Sequence, residues 1–306
     1  MSTALYSSAL GIYRKTLKRS GAVHALAYRF TERAVVSALE SGLGFRTAKD
    51  DPLSFRLDLL LGRYEAETAA VFKSLLRPGM TVVDVGAHIG YYTRIFAQRV
   101  GPRGRVIAFE PHPLTFKILA GNLASCANVI LVHEAASDRT GTAMLYDSNP
   151  DVGSSSLRLD ESKREYYTQR LVGTEIAPRA VAGLPTSTYS VKTRTLDASL
   201  SLAGIDRVDV VKMDIEGAEL AALRGMKETL RRSASVSLVV ELNPRSLESF
   251  GITPASFFEQ LTESGFRSIE PIEDGGGAKF EARSSFAQWA EQFSANYRRV
   301  NLLCRK

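Results

Sequence analysis

Cysteine is nearly absent from this chain of 306 residues; Cys126 and Cys304 are the two it has. Two cysteines make neither a disulfide framework nor a zinc site. Long apolar runs are also missing. No stretch approaches the roughly 18 residues that mark a membrane-spanning helix. Met1 to Leu10 carries no basic segment ahead of an apolar one, so no secretory leader is expected and the cytoplasm is the expected compartment. Glycine and proline, at 23 and 11 residues, are too few for a collagenous or low-complexity protein. There is no internal repeat. There is no zinc-finger, helix-turn-helix or RNA-binding signature either, so nucleic acid is not an expected partner. What is present is ordinary for a globular enzyme: 44% hydrophobic and 24% charged residues. The length suits two domains or one enlarged α/β domain.

The net charge of +6 is unevenly placed. Residues 1–50 hold eight basic side chains, Arg14, Lys15, Lys18, Arg19, Arg29, Arg33, Arg46 and Lys49. Against them stand Glu32, Glu40 and Asp50. Ala9, Ile12, Tyr13 and Leu17 fall at helical spacing among the first of these cations. Two readings follow. Residues 1–35 lie on an anionic membrane surface as a peripheral contact, or they form a helix on the main domain with a solvated basic face.

Residues 1–60 read as a helical, basic extension and 61–306 as the main domain. Within the latter, strands alternate with helices. Glu65–Leu76 reads as a helix stopped by Pro78 and Gly79. Strands are expected at Thr81–Val85, Arg105–Phe109, Val129–His133, Val208–Ile215, Val236–Leu242 and Val300–Cys304. Helices are expected at Tyr91–Val100, Pro113–Ser125, Ala218–Arg231, Pro254–Ser264 and Phe286–Ser294. This alternation implies βαβ units and a parallel sheet. The turn-rich stretch 137–207 reads as an insertion with strand pieces at Ala143–Tyr146 and Tyr189–Thr195.

The strongest local signal is Val82-Val83-Asp84-Val85-Gly86-Ala87-His88-Ile89-Gly90. A buried strand ends in an acid and turns through glycines into a helix. A pyrophosphate loop wants G-x-G-x-x-G; this one is G-x-x-x-G, with His88 at its centre. Asp84 would repel a pyrophosphate and suits a cationic ligand, such as the amino group of a methionine moiety. Glu110 closes the next strand, 24 residues after Gly86, where a carboxylate can accept both hydroxyls of a ribose. After the third strand, Glu134 or the Ala135 backbone is placed to meet an adenine edge. The fourth strand reads Val210-Val211-Lys212-Met213-Asp214-Ile215-Glu216-Gly217. Lys212 and Asp214 share one face of an apolar strand, which is costly unless they are paired or used. One reading makes Asp214 a base for an acceptor, with Lys212 and Glu216 in support. The other makes Lys212 a structural partner of a carboxylate such as Glu241.

Asp84–Gly90, Glu110-Pro111-His112-Pro113 and Lys212–Glu219 together resemble the FkbM family of S-adenosylmethionine-dependent methyltransferases. Ala135–Gly141, Gly153–Leu157 and Leu223-Arg224-Gly225 resemble it less specifically. The resemblance covers about Arg77–Pro244. It implies a class I methyltransferase fold, an α/β sheet of seven strands, mostly parallel, with one antiparallel strand near the far end. It implies S-adenosylmethionine as cofactor, bound by Asp84, Gly86, Ala87, His88, Gly90, Glu110 and Pro111, with Glu134 and Ala135 beside the adenine. It also implies O-methylation of a small-molecule or glycan acceptor, a sugar, glycolipid or secondary metabolite. Asp214 is the first candidate base, Glu241 the second and His88 the third; Lys212 and Glu216 support. No metal is expected, because no His or Cys ligand spacing accompanies these acids.

The sequence departs from the family at two places. His88 stands where the family usually has Asn, and Asn243 stands where a His is common after the fifth strand's Glu. Rival readings are an N-methyltransferase, a nicotinamide-dependent oxidoreductase and a non-catalytic cofactor-binding scaffold at a membrane. The absence of G-x-G-x-x-G together with Asp84 speaks against the oxidoreductase.

Overall fold

The computed structural model describes residues 21–49, 51–147, 155–159, 187–272, 279–294 and 298–306. These residues fall into two compact units, one up to Tyr64 and one from Glu65 onward. The expected basic helix within 1–20 and the turns near 153, 183 and 275 lie outside the described residues.

The first unit contains α1 (Gly21–Ser37), which runs into a π-helical turn at Ala38–Gly42, and α2 (Leu53–Leu60). Its polar centre is Arg56, which is 3% exposed. The guanidinium donates to Glu32 at 2.7 Å and to the carbonyls of Ala48 and Lys49 at 2.7 and 2.8 Å. Asp51 accepts from the Ala48 amide at 2.6 Å and closes the same loop. No helix among the described residues is long and apolar enough to cross a membrane.

The second unit opens with α3 (Ala66–Leu75), followed by β1 (Thr81–Val85), α4 (Tyr91–Val100), β2 (Arg105–Phe109), α5 (Pro113–Asn122) and β3 (Val129–Val132). β1 and β2 are apolar and almost wholly buried, which is the pattern of a parallel strand covered on both faces. α5 starts where expected because Pro113 occupies its first turn and His112 caps it, accepting from the Thr115 amide at 3.2 Å. The chain continues as β4 (Ala135–Ala136), β5 (Gly141–Asp147), β6 (Ser187–Arg194), α6 (Leu196–Leu202) and β7 (Val210–Met213). Then come α7 (Glu219–Arg224), α8 (Lys227–Arg232), β8 (Ser237–Leu242), α9 (Pro244–Ser249), α10 (Pro254–Glu263), β9 (Ser268–Pro271), α11 (Arg283–Glu291) and β10 (Val300–Arg305).

The main sheet has seven strands in the order β3-β2-β1-β7-β8-β10-β9. The pairings from β3 to β8 are parallel; β10 is antiparallel to both β8 and β9. This is the class I methyltransferase arrangement. A second sheet, β4-β6-β5, takes β5 and β6 from the stretch read as an insertion and β4 from just before it. That stretch does not stay separate throughout. Thr195 caps α6, and Leu196 and Leu200 of that helix are fully buried in the main core beside Val85, Ile107 and Phe109.

Two expected elements are corrected. The helix expected at Ala218–Arg231 is two helices: the Gly225 carbonyl accepts from the Asp197 amide at 2.8 Å, and Gly225 packs so closely on Ser137 that a Cβ would stand 2.0 Å from its carbonyl oxygen. The chain breaks there, and Asp197 accepts from the Glu228 and Thr229 amides at the start of α8. β7 is shorter at both ends than Val208–Ile215, although the Asp209 and Asp214 amides flanking it still donate to the carbonyls of Thr81 and Val85 on β1.

Candidate functional site

The strand order reverses across β1, which has β2 on one side and β7 on the other. In an open parallel sheet the crevice beyond the carboxyl ends of such a pair is the ligand site. Asp84 and Glu110 come to that end from β1 and β2, Lys212 and Asp214 from β7, and Glu241 from β8.

The loop after β1 is pinned from two directions. The amides of Gly86 and Ala87 both donate to the Phe109 carbonyl, at 3.0 and 2.9 Å. The His88 amide donates to Glu110 at 2.9 Å, and the His112 amide donates to the other Glu110 oxygen at 2.8 Å. Glu110 thus joins the loop to the turn that contains Pro111. Gly86 has a left-handed φ of 82°, and a Cβ there would stand 2.0 Å from the Asp214 carbonyl oxygen. Only glycine lets β1 and β7 approach so closely.

His88 also has a left-handed φ, 52°. That region disfavours most side chains and is relatively enriched in Asn, Asp and His, so His accommodates the same backbone as the family's Asn. Burial lowers its pKa to about 4, so the ring is uncharged at neutral pH. Among the described residues the non-glycine residues with positive φ are Glu65, His88 and Glu216. All three belong to this site, as strained backbone often does.

Lys212 is the electrostatic centre. Its ammonium donates to the Gly86 carbonyl at 3.2 Å and stands 3.6 Å from Asp84 and 3.7 Å from Asp214. It also lies 5.6 Å from the centre of the Tyr92 ring. Burial opposes its charge, but Asp214, Asp84, Glu65 and Glu241 outweigh that and raise its pKa. Asp84 is fully buried. One oxygen accepts from Thr93 at 2.6 Å; the other makes no hydrogen bond and faces Lys212. Burial raises Asp84, while Lys212 and Thr93 oppose the rise.

On the β8 side, Glu241 pairs with Arg299 at 3.5 Å, and Glu216 stands 3.9 Å from the same guanidinium. The structural pair read for Lys212 and Glu241 is therefore replaced: Lys212 pairs with Asp84 and Asp214, and Glu241 with Arg299. Glu241 keeps one buried oxygen without a hydrogen bond. Its pKa is raised by burial and then by Asp214 and Glu216. Asn243 caps α9, accepting from the Ser246 amide at 3.2 Å. Glu219, inside the sequence motif, folds back to accept from the Ile215 and Gly217 amides at 3.0 and 3.2 Å.

Glu134 is held away from the loop by a bidentate pair with Arg194 of β6, at 2.6 and 2.8 Å. With Pro111, Val132 and Tyr189 it lines a cavity of about 860 Å³ beside β3. Ala135 is buried in β4.

Two participants were not read from the sequence. Glu65 accepts from the Tyr92 hydroxyl at 2.8 Å and interacts electrostatically with Asp214, Arg299 and Lys212. Arg299 comes from the residues just before β10. Both look like surface charges in sequence; the fold alone brings them here. Among the described residues no group of three or more His, Cys, Asp or Glu is arranged to hold a metal ion.

The donor set fits an adenosyl cofactor with a cationic end. A buried Asp84 oxygen is left without a hydrogen bond, Glu110 presents a carboxylate at the end of β2, and acids crowd the β1–β7 crevice. Comparison with known proteins agrees. A family model described as the Methyltransferase FkbM domain matches residues 84–268. The methyltransferase sdnD of Sordaria araneosa is 29% identical over 226 residues, which is 70% of this chain and 78% of that protein. The 2-O-methyltransferase NoeI of Sinorhizobium fredii is 30% identical, covering 52% of this chain and 62% of its own length. The 31-O-demethyl-FK506 methyltransferase FkbM of Streptomyces tacrolimicus is 29% identical, covering 50% and 62%. The acid-flanked glycine loop, Glu110 at the end of β2 and the matched span lead to one conclusion: this chain belongs to the FkbM family of methyltransferases that use S-adenosylmethionine.

Proposed function

We propose that the chain methylates a hydroxyl oxygen of a sugar-like or secondary-metabolite acceptor, with Asp214 as the base. The observation that carries this reading is a difference in access. The Asp214 side chain is 27% exposed, against 0% for Asp84 and 4% for Glu241. Of these acids it is the one an acceptor reaches. The two relatives named as O-methyltransferases support oxygen over nitrogen.

When bound, S-adenosylmethionine supplies an electrophilic methyl carbon on a sulfonium. The chain's own residues do the rest. Asp84, Gly86, Ala87, His88 and Gly90 form the floor under the cofactor. Glu110 accepts from ribose hydroxyls, Pro111 keeps the following turn extended, and Glu134 and Ala135 wall the adenine side. Lys212 holds Asp214 in place, since the two lie 3.7 Å apart. Asp214 takes the acceptor's hydroxyl proton as the oxygen gains the methyl group. Glu216 and Glu241, anchored by Arg299, shape the acceptor side. Orientation is the largest contribution and base assistance adds ~10²–10⁴-fold. In this reading residues 61–306 are the catalytic domain and 1–60 a helical basic extension.

The test uses S-adenosylmethionine labelled at the methyl group and a panel of hydroxylated and amino acceptors. Label is expected on oxygen, and Asp214→Asn is expected to lower turnover by ~10²–10⁴-fold while leaving cofactor affinity within about threefold. Label on nitrogen, or full turnover by the variant, refutes the assignment.

A further inference from the structure

The crevice between β1 and β7 holds more negative than positive charge. Glu65, Asp84 and Asp214 surround Lys212, and Glu216 and Glu241 surround Arg299. Two of the acids, Asp84 and Glu241, each bury an oxygen that has no hydrogen-bond partner. Glu65 is the third acid beside Lys212. It sits in the left-handed region, φ 43°, at the start of α3. One oxygen accepts from the Tyr92 hydroxyl at 2.8 Å, and the other makes no hydrogen bond with a described residue. Tyr92 belongs to α4, the helix that follows the glycine loop, so Glu65 is tied to the cofactor loop from outside the span that the family model matches.

The strand order places β1 between Glu110 on β2 and Asp214 after β7. With the ribose at Glu110, the methionine end of the cofactor belongs toward β7. That end carries an ammonium, and Glu65 lies within electrostatic reach of Lys212, Asp214 and Arg299 there.

We propose that Glu65 binds the α-ammonium group of the cofactor's methionine moiety. The inference rests on S-adenosylmethionine being the cofactor. Charge supports it independently of geometry. Burial, and then the neighbouring Asp214, raise the pKa of Glu65 by more than Arg299, Tyr92 and Lys212 lower it, so its charge is incompletely compensated. A bound ammonium supplies one, so ligand binding draws Glu65 to its ionised form. An ammonium–carboxylate contact in a partly buried site is a strong, charge-assisted hydrogen bond.

The test is calorimetric titration of the full chain with two ligands: S-adenosylhomocysteine, and its analogue lacking only the α-amino group, 5′-S-(3-carboxypropyl)-5′-thioadenosine. Glu65→Gln is expected to weaken S-adenosylhomocysteine by ~10-fold or more and to leave the analogue unchanged. Tyr92→Phe, which keeps the ring and releases the carboxyl, is expected to show the same selectivity with a loss of about threefold. A loss shared equally by both ligands makes Glu65 a purely structural residue and overturns the proposal. So does undiminished binding of S-adenosylhomocysteine to both variants. If the wild-type chain binds neither ligand, the cofactor assignment itself falls, and this inference with it.

Discussion

Arg56 in the first unit and Lys212 in the second are both buried cations, and they are held in opposite ways. Arg56 makes three hydrogen bonds of 2.7–2.8 Å, two of them to backbone carbonyls within eight residues of itself. Lys212 makes one bond of 3.2 Å and holds its carboxylates at 3.6 and 3.7 Å, beyond hydrogen-bond range. The partners of Arg56 lie nearby in the chain and close a loop. Those of Lys212 come from β1 and from its own strand, and they open onto a crevice. A buried charge that is tightly satisfied by its own backbone does structural work. One that is shared among several acids at the mouth of a crevice is the pattern of a functional site.

The sharpest break in this comparison is Lys212→Met. It leaves Asp84 buried with Thr93 as its hydrogen-bond partner, and removing one member of a buried pair costs ~3–5 kcal/mol. Chemical denaturation is expected to show that loss, and calorimetry is expected to show cofactor affinity lost with it. Retained affinity would make Lys212 as structural as Arg56. Arg56→Met is the converse. Glu32 is 32% exposed and is rehydrated, so the expected loss is smaller, about 2 kcal/mol. Cofactor affinity of the folded fraction is expected to stay within about twofold; a larger change would couple Arg56 to the site.

The smallest expected effect is a pH dependence at Glu110. Burial raises this acid from 4.5 to about 7, against the pull of its two backbone donors. Its contribution to stability is therefore full below about 4.5 and is lost as the pH rises to about 7. Ribose hydroxyls donate best to the ionised form, so S-adenosylhomocysteine affinity is expected to climb as the pH passes through 7. The rise is at most about tenfold per pH unit. Glu110→Gln is expected to bind more weakly and with a flatter profile. Parallel profiles for the two proteins would place the titration on another group.

Much of this architecture is legible in the sequence, for identifiable reasons. Thr81–Val85, Tyr91–Val100 and Arg105–Phe109 match the structure end for end. Each is a run of one periodicity, closed by a glycine or an acid. Asp84, Glu110, Lys212 and Asp214 are legible as a site because a charge at the end of an apolar strand carries a desolvation cost that only a partner or a ligand offsets. The α7–α8 break was not legible, since it depends on how closely Gly225 meets Ser137, a contact distant in sequence. α6 carried a signal that went unread: Thr195 as a cap with Leu196 and Leu200 one turn apart. Glu65 and Arg299 carried none. Their meaning comes from tertiary placement, and each stands outside the family span of 84–268.

The position of β10 has a consequence for biosynthesis. Residues 300–305 do not join an edge; they insert between β8 and β9, pairing Leu302 with both Val240 and Pro271. β9 has no seat in the sheet until that insertion has happened, and Arg299 reaches Glu241 only with it. Domains emerge from the ribosome N-terminal end first. The glycine loop and Glu110 therefore leave the ribosome long before the crevice they serve can be closed. A chain that ends before residue 299 lacks the guanidinium that pairs with Glu241 and stands beside Glu216.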